Sequence, residues 1–63
     1  MSNELDYRID DLPDGVRLVL LVGDREVGSR DTNMDEAVAL GSVWLNADLE
    51  DRPLGEIAAE LVD

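Results

Sequence analysis

Cysteine, histidine, lysine and phenylalanine are all absent from this 63-residue chain. Each absence closes off some chemistry. Without cysteine or histidine there is no disulfide frame, zinc site, thiol nucleophile or imidazole base, and the redox compartment leaves no mark. Basic residues are scarce: five arginines (Arg8, Arg17, Arg25, Arg30, Arg52) stand against sixteen Asp and Glu, a formal charge of −11. Nucleic acid is therefore disfavoured as a direct ligand, because gripping a polyanion needs clustered Lys and Arg. The expected partner is cationic. Long apolar runs are missing as well: the longest, Leu18–Val22, is far short of the ~20 residues of a membrane helix, so no membrane association is expected. The opening Met-Ser-Asn-Glu-Leu-Asp has neither the cationic start nor the apolar stretch of a signal peptide, and the expected location is the cytoplasm.

What is present suffices for a fold. Hydrophobic residues make up 44% of the chain, too many for a disordered acidic tail. The length implies a single domain over residues 1–63, burying only about 60% of the surface that the unfolded chain exposes. Repulsion among the excess negative charges lowers stability further. A monomer or a weak homodimer is expected.

The first half reads in period two. Leu5, Tyr7 and Ile9 alternate with Asp6, Arg8 and Asp10, the pattern of a strand with one wet face. Leu12-Pro13-Asp14-Gly15 is turn chemistry, with Gly suited to a positive φ on exit. A second strand over Val16–Val22 leads to Gly23-Asp24, a two-residue hairpin signal with Gly first, and a third strand over about Arg25–Arg30. An even first loop sets Ile9 opposite Leu18, Tyr7 opposite Leu20 and Leu5 opposite Val22. Leu20 then faces Val27 across the second hairpin, so one face is wholly apolar; a three-residue loop would split the apolar residues over both faces. Val19 and Leu21 fall on the other face, as a shielded patch or as a contact for a partner.

The second half switches to helical spacing. Asn33 with Glu36 forms a capping-box pattern, and Met34, Ala37, Val38, Gly41 and Leu45 recur at i, i+3, i+4, i+7 and i+11, widened by Leu40 and Trp44. A helix is predicted over about Met34–Ala47. The acidic linker Asp48-Leu49-Glu50-Asp51 leads to Pro53, which suits the first turn of a second helix whose buried stripe is Leu54, Ile57, Ala58 and Leu61. The predicted fold is α+β: a three-stranded antiparallel meander followed by two helices packed on one face, in the order β-β-β-α-α. Tyr7 and Trp44, the aromatic residues, are expected in the core.

Laid on this frame, the carboxylates form rows. Glu56, Glu60 and Asp63 fall at i, i+4 and i+7 on one edge of the last helix, with side-chain origins ~5–6 Å apart. Glu4, Asp6 and Asp10 share the wet face of the first strand, where positions i and i+2 are roughly 6.6 Å apart. Asp10, Asp11 and Asp14 crowd the first turn. Asp24, Glu26 and Asp31 belong to the hairpin, and Asp48, Glu50 and Asp51 to the linker. Asp35 and Glu36 complement the helix dipole and Asp14 serves its turn, which leaves the other acids without a folding role. Rows at these spacings imitate successive phosphates of a nucleic-acid strand, about 6–7 Å apart. The candidate partner-binding surface is therefore Asp6, Asp10, Asp11, Asp24, Glu26, Asp31, Asp48, Glu50, Asp51, Glu56, Glu60 and Asp63. It would dock in the Arg- and Lys-lined groove of a basic DNA-binding protein and exclude the real ligand.

In size, acidity and mixed layout the chain resembles the small acidic inhibitors carried by bacteriophages and mobile elements, particularly DNA-mimicking anti-CRISPR proteins and, among these, inhibitors of the type I-C system. The resemblance implies a CRISPR surveillance complex as partner. The protein would occupy the Cascade site that reads the protospacer-adjacent motif and block target-DNA binding. Two other readings fit the composition. Abundant Asp and Glu with no Lys also describe a small cytoplasmic domain adapted to molar salt, where screening over ~3 Å removes self-repulsion. The strand-strand-strand-helix order with an acidic tail is also similar to HicB-type antitoxins, which neutralise a basic toxin. Catalysis is not expected. Ser2, Ser29 and Ser42 have no histidine to activate them, and solvated acids offer no distinguished acid–base pair. Asp10, Asp14 and Gly15 match the first, fifth and sixth places of a calcium loop, but Leu12 and Leu21 stand where the third and twelfth ligands belong. No metal or cofactor is expected, and Gly23 and Gly28 lack the strand-to-helix setting of a phosphate loop.

Overall fold

The alternating first half forms a three-stranded antiparallel sheet in the order β1-β2-β3, with β1 at Leu5–Leu12, β2 at Gly15–Val22 and β3 at Arg25–Thr32. These strands belong to a computed structural model that describes residues 4–62. Pro13 and Asp14 make the first loop, and its even length sets Leu5 opposite Val22, Tyr7 opposite Leu20 and Ile9 opposite Leu18. Gly15 closes this turn for a reason of space. A Cβ there would lie 2.6 Å from the Thr32 carbonyl oxygen. The positive φ falls instead on Gly23 (64°), the first residue of the second turn, where a type II′ hairpin needs it.

Across the second hairpin the register breaks between Leu20 and Leu21. Leu20 faces Gly28, Leu21 faces Glu26, and Val27 is left without a partner and 41% exposed. The predicted Leu20–Val27 pair is thus replaced by a bulge, in which one strand carries an extra residue. The reason is visible above the sheet: a Cβ at Gly28 would already come within 3.1 Å of Val62 Cγ2, so a valine there would keep the last helix from settling.

Helix α1 spans Met34–Leu45 and α2 spans Leu54–Val62, with a 3₁₀ turn at Ala47–Leu49 between them. Asn33 caps α1, its side-chain oxygen accepting the Glu36 N–H at 2.8 Å. The box is half formed, because the Glu36 carboxylate goes to Arg30 (2.9 Å). The helix stops two residues earlier than predicted. Asn46 leaves helical geometry (φ −100°, ψ 5°) and its Nδ2 donates to the Ser42 carbonyl at 2.9 Å. At α2 the Pro53 carbonyl accepts the Glu56 and Ile57 N–H groups at 3.1 and 3.2 Å, placing Pro53 just ahead of the first turn.

Both helices cover the same face of the sheet, α1 over β1 and β2 and α2 over β3, which makes the fold α+β. Trp44 is the anchor. It is fully buried, and its indole N–H donates to the Leu21 carbonyl at 3.1 Å. Leu18 and Leu20 from β2, Ala37 from α1, and Ile57, Ala58 and Leu61 from α2 complete the centre, with Leu5, Tyr7 and Ile9 half-buried around it. The predicted α1 stripe is rotated. Ala37, Gly41 and Trp44 are buried, while Met34, Val38 and Leu45 are each more than two-fifths exposed. Gly41 sets this rotation by lying so close to Tyr7 that a Cβ would meet its ring at 2.8 Å.

Candidate functional site

Opposed residues of an antiparallel pair project to the same side, so the register defines the uncovered face of the sheet. It reads as three rows across β1, β2 and β3: Asp10–Arg17–Asp31, Arg8–Val19–Ser29 and Asp6–Leu21–Glu26. Carboxylates stand on the two edge strands and the central strand carries none. Val19 is only 1% exposed although it lies on the solvent side. Arg8 flanks it, and an arginine stem covers apolar neighbours in this way. Of the predicted patch, Val19 is therefore shielded, while Leu21 is half-buried.

Two arginines compensate one end of this face. Arg8 Nε and Nη2 each reach the Asp10 carboxylate at 3.1 Å, and Arg17 Nε bonds Asp31 Oδ1 at 2.8 Å. The Arg17 hydrogen bond, helped by its charge, holds the Asp31 carboxyl below the usual carboxylate range. A cavity of about 590 Å³ opens beside this pair, between the first turn and Asp31–Asn33. Of its charged lining residues, Arg17 and Asp31 are bonded to each other and Asp14 stands apart from that pair.

The hairpin end differs. There the Gly23 N–H donates to the Glu4 carbonyl at 2.7 Å, drawing Glu4 to the turn that carries Asp24. Asp6 and Glu26 flank Leu21 one row away, about 10 Å apart across two strand spacings. Among the described residues no arginine bridges Glu4, Asp6, Asp24 or Glu26. Glu4, left out of the predicted surface, belongs to this group; the Leu5–Val22 register sets it opposite Gly23, next to Asp24.

The remaining predicted acids are dispersed or neutralised. Asp11 pairs with Val16, on the side opposite its neighbour Asp10. Asp48 lies in the 3₁₀ turn and Asp51 beyond it, both exposed. The α2 row is brought together around a cation: Arg52 reaches Glu56 at 3.1 Å, Glu50 at 3.8 Å, and also Glu60. Asp63 lies outside the described residues. The Arg52–Glu56 spacing of i, i+4 was the signal for this cluster. Arg30, on the covered face opposite Leu18, joins β3 to both helices through Glu36 and the Leu61 carbonyl (3.4 Å).

Among the described residues no three carboxylates converge closely enough to hold a metal ion, and no helix is long and apolar enough to cross a membrane. No protein-family model matches the sequence, and neither a curated protein nor a solved structure matches it.

Proposed function

We propose that this protein is a non-enzymatic inhibitor that presents its uncovered sheet face, in place of nucleic acid, to the basic groove of a DNA-binding protein. One observation carries the reading: carboxylates line both edge strands on either side of a central strand that has none. The lines are about 10 Å apart, close to the ~12 Å width of a DNA major groove. Acids already held by arginine contribute least to such a surface, so the hairpin end, Glu4, Asp6, Asp24 and Glu26, is the principal contact. Steering by the net charge of −11 makes encounter with a cationic groove fast and salt-sensitive. The resemblance noted above makes a type I-C Cascade complex the first target to test.

The experiment is displacement of a labelled target duplex from that complex, and from a panel of other basic DNA-binding proteins. Wild-type protein is expected to release the duplex. Asp24→Lys with Glu26→Lys should weaken release at least about ten-fold, a loss of 1.4 kcal/mol or more, whereas Glu56→Lys with Glu60→Lys should matter less. Failure to displace DNA from any target, or displacement indifferent to charge reversal at the hairpin end, would falsify the proposal.

A further inference from the structure

One face of α1 is open, and it lacks charge. From Ala37 to Ala47 no residue is charged, in a chain where a third of all residues are. Met34, Val38 and Leu45 form an exposed stripe at i, i+4 and i+11. Gly41, at i+7 on that stripe, rests against Tyr7 of β1, so the stripe overhangs the free edge of β1. That edge is regular along its whole length, whereas the other edge, β3, is interrupted by the bulge at Val27, a feature that discourages further pairing. The orientation of the β1 backbone also follows. The Glu4 carbonyl points inward to Gly23, so Leu5, Tyr7 and Ile9 turn their N–H and C=O groups outward. The Tyr7 N–H is accordingly held by its neighbour, Asp6 Oδ1, at 2.8 Å.

We infer that this edge pairs with β1 of a second copy of the chain, antiparallel, about a two-fold axis at Tyr7. That register sets Tyr7 opposite the second copy's Tyr7, and Leu5 opposite its Ile9, on the covered face. On the other face it sets Asp6 opposite the second copy's Arg8, and the reverse. Apolar residues meet apolar ones and opposite charges meet twice; the like-charged Glu4 and the second copy's Asp10 are opposed only at the ends of the paired segment, where Arg8 already holds Asp10. Centring the pair on Arg8 would instead oppose two arginines and set Asp6 against Asp10. Leu5, Tyr7 and Ile9 supply about six inter-chain hydrogen bonds in the chosen register. Asp6 exchanges its bond to the Tyr7 N–H for the second copy's Arg8 guanidinium, which is shared with that copy's own Asp10.

The same operation closes the helices. Since α1 lies over β1 and β2, strand spacings of ~4.8 Å put its axis about 5 Å from the two-fold, and the two α1 axes about 10 Å apart. Packed helices lie at roughly 8–10 Å, so the stripes of Met34, Val38 and Leu45 meet across the axis. One operator satisfies both the strand edge and the helix face, which is the mark of an isologous interface. For a chain this negative, the uncharged α1 face is also where two copies approach with least repulsion. The pairing does not rest on the inhibitor reading; where that reading holds, the dimer joins two acidic faces on one six-stranded sheet, and Asp6 passes to the second copy's Arg8, leaving Glu4, Asp24 and Glu26 as the contact at each hairpin end.

Sedimentation of the intact chain in about 0.15 M salt, where the Debye length is ~8 Å, should show twice the 6.9 kDa monomer mass as concentration rises toward about 0.5 mM. Arg8→Asp, or Val38→Glu with Leu45→Glu, should weaken dimerisation at least about ten-fold with unchanged circular dichroism. Adding Asp6→Arg to Arg8→Asp exchanges the two charges and should restore the dimer. A wild-type chain that stays monomeric throughout, a dimer indifferent to Arg8→Asp, or a charge exchange that fails to rescue would each overturn the inference.

Discussion

Arg52 shows how much one side chain changes the meaning of its neighbours. From spacing alone, Glu56 and Glu60 are a free anionic row; in three dimensions both turn to Arg52, which Glu50 joins. The pairs are exposed and contribute about 0–1 kcal/mol each to stability, but they remove charge from that edge of α2. Gly41 and Gly55 make a similar contrast, since both sit in helices where alanine is favoured by about 1 kcal/mol. At Gly41 a Cβ would lie 2.8 Å from three Tyr7 ring carbons, while at Gly55 nothing lies within 4 Å. Overpacking costs about 1–3 kcal/mol, so the clash wins at Gly41. Thermal melts should show Gly41→Ala less stable than wild type and Gly55→Ala more stable, each by about 1 kcal/mol, or ~4–8 °C in a domain this small. A gain in both variants would mean that the Tyr7 contact does not constrain α1. Neither role was readable beforehand, because Gly41 appeared only as one more position in an apolar repeat.

Elements were legible where a short-range rule governs them. The β1–β2 pairing follows from the alternation of Leu5–Asp10 in β1 and an even first loop, since an odd loop would split the apolar residues over both faces. The N-terminus of α1 is equally local: Asn33 accepts the Glu36 N–H, and Asn33→Ala should cost about 1 kcal/mol in chemical denaturation. Glu36→Gln should cost less, since its carboxylate serves a half-exposed bridge to Arg30 rather than the cap. Equal losses in the two variants would show a complete box. The bulge in β3 was not legible. In Arg25-Glu26-Val27-Gly28 a regular pairing satisfies alternation by putting Val27 inside, and only Val62 above Gly28 makes that arrangement too crowded.

At the scale of the molecule, a net charge of −11 opposes compaction, and a core built around Trp44 with few other large side chains offsets it. Salt should therefore raise the melting temperature as screening shortens from ~30 Å at 0.01 M to ~10 Å at 0.1 M. A cooperative transition is expected already at the lower ionic strength, because among the described residues Arg8, Arg17, Arg30 and Arg52 each hold an acid. Folding only above about 1 M salt would instead identify a chain adapted to brine. The sequence by itself determined the charge, the order of elements, the first hairpin and the apolar stripe of α2. These follow from composition, from periods of two and 3.6, and from turn residues, all of which act between near neighbours in the chain. Only the tertiary structure decided which carboxylates keep their charge uncompensated and which side of α1 remains open. Both depend on the approach of residues distant in sequence, Arg17 to Asp31 and Tyr7 to Gly41, and no local period encodes such distances.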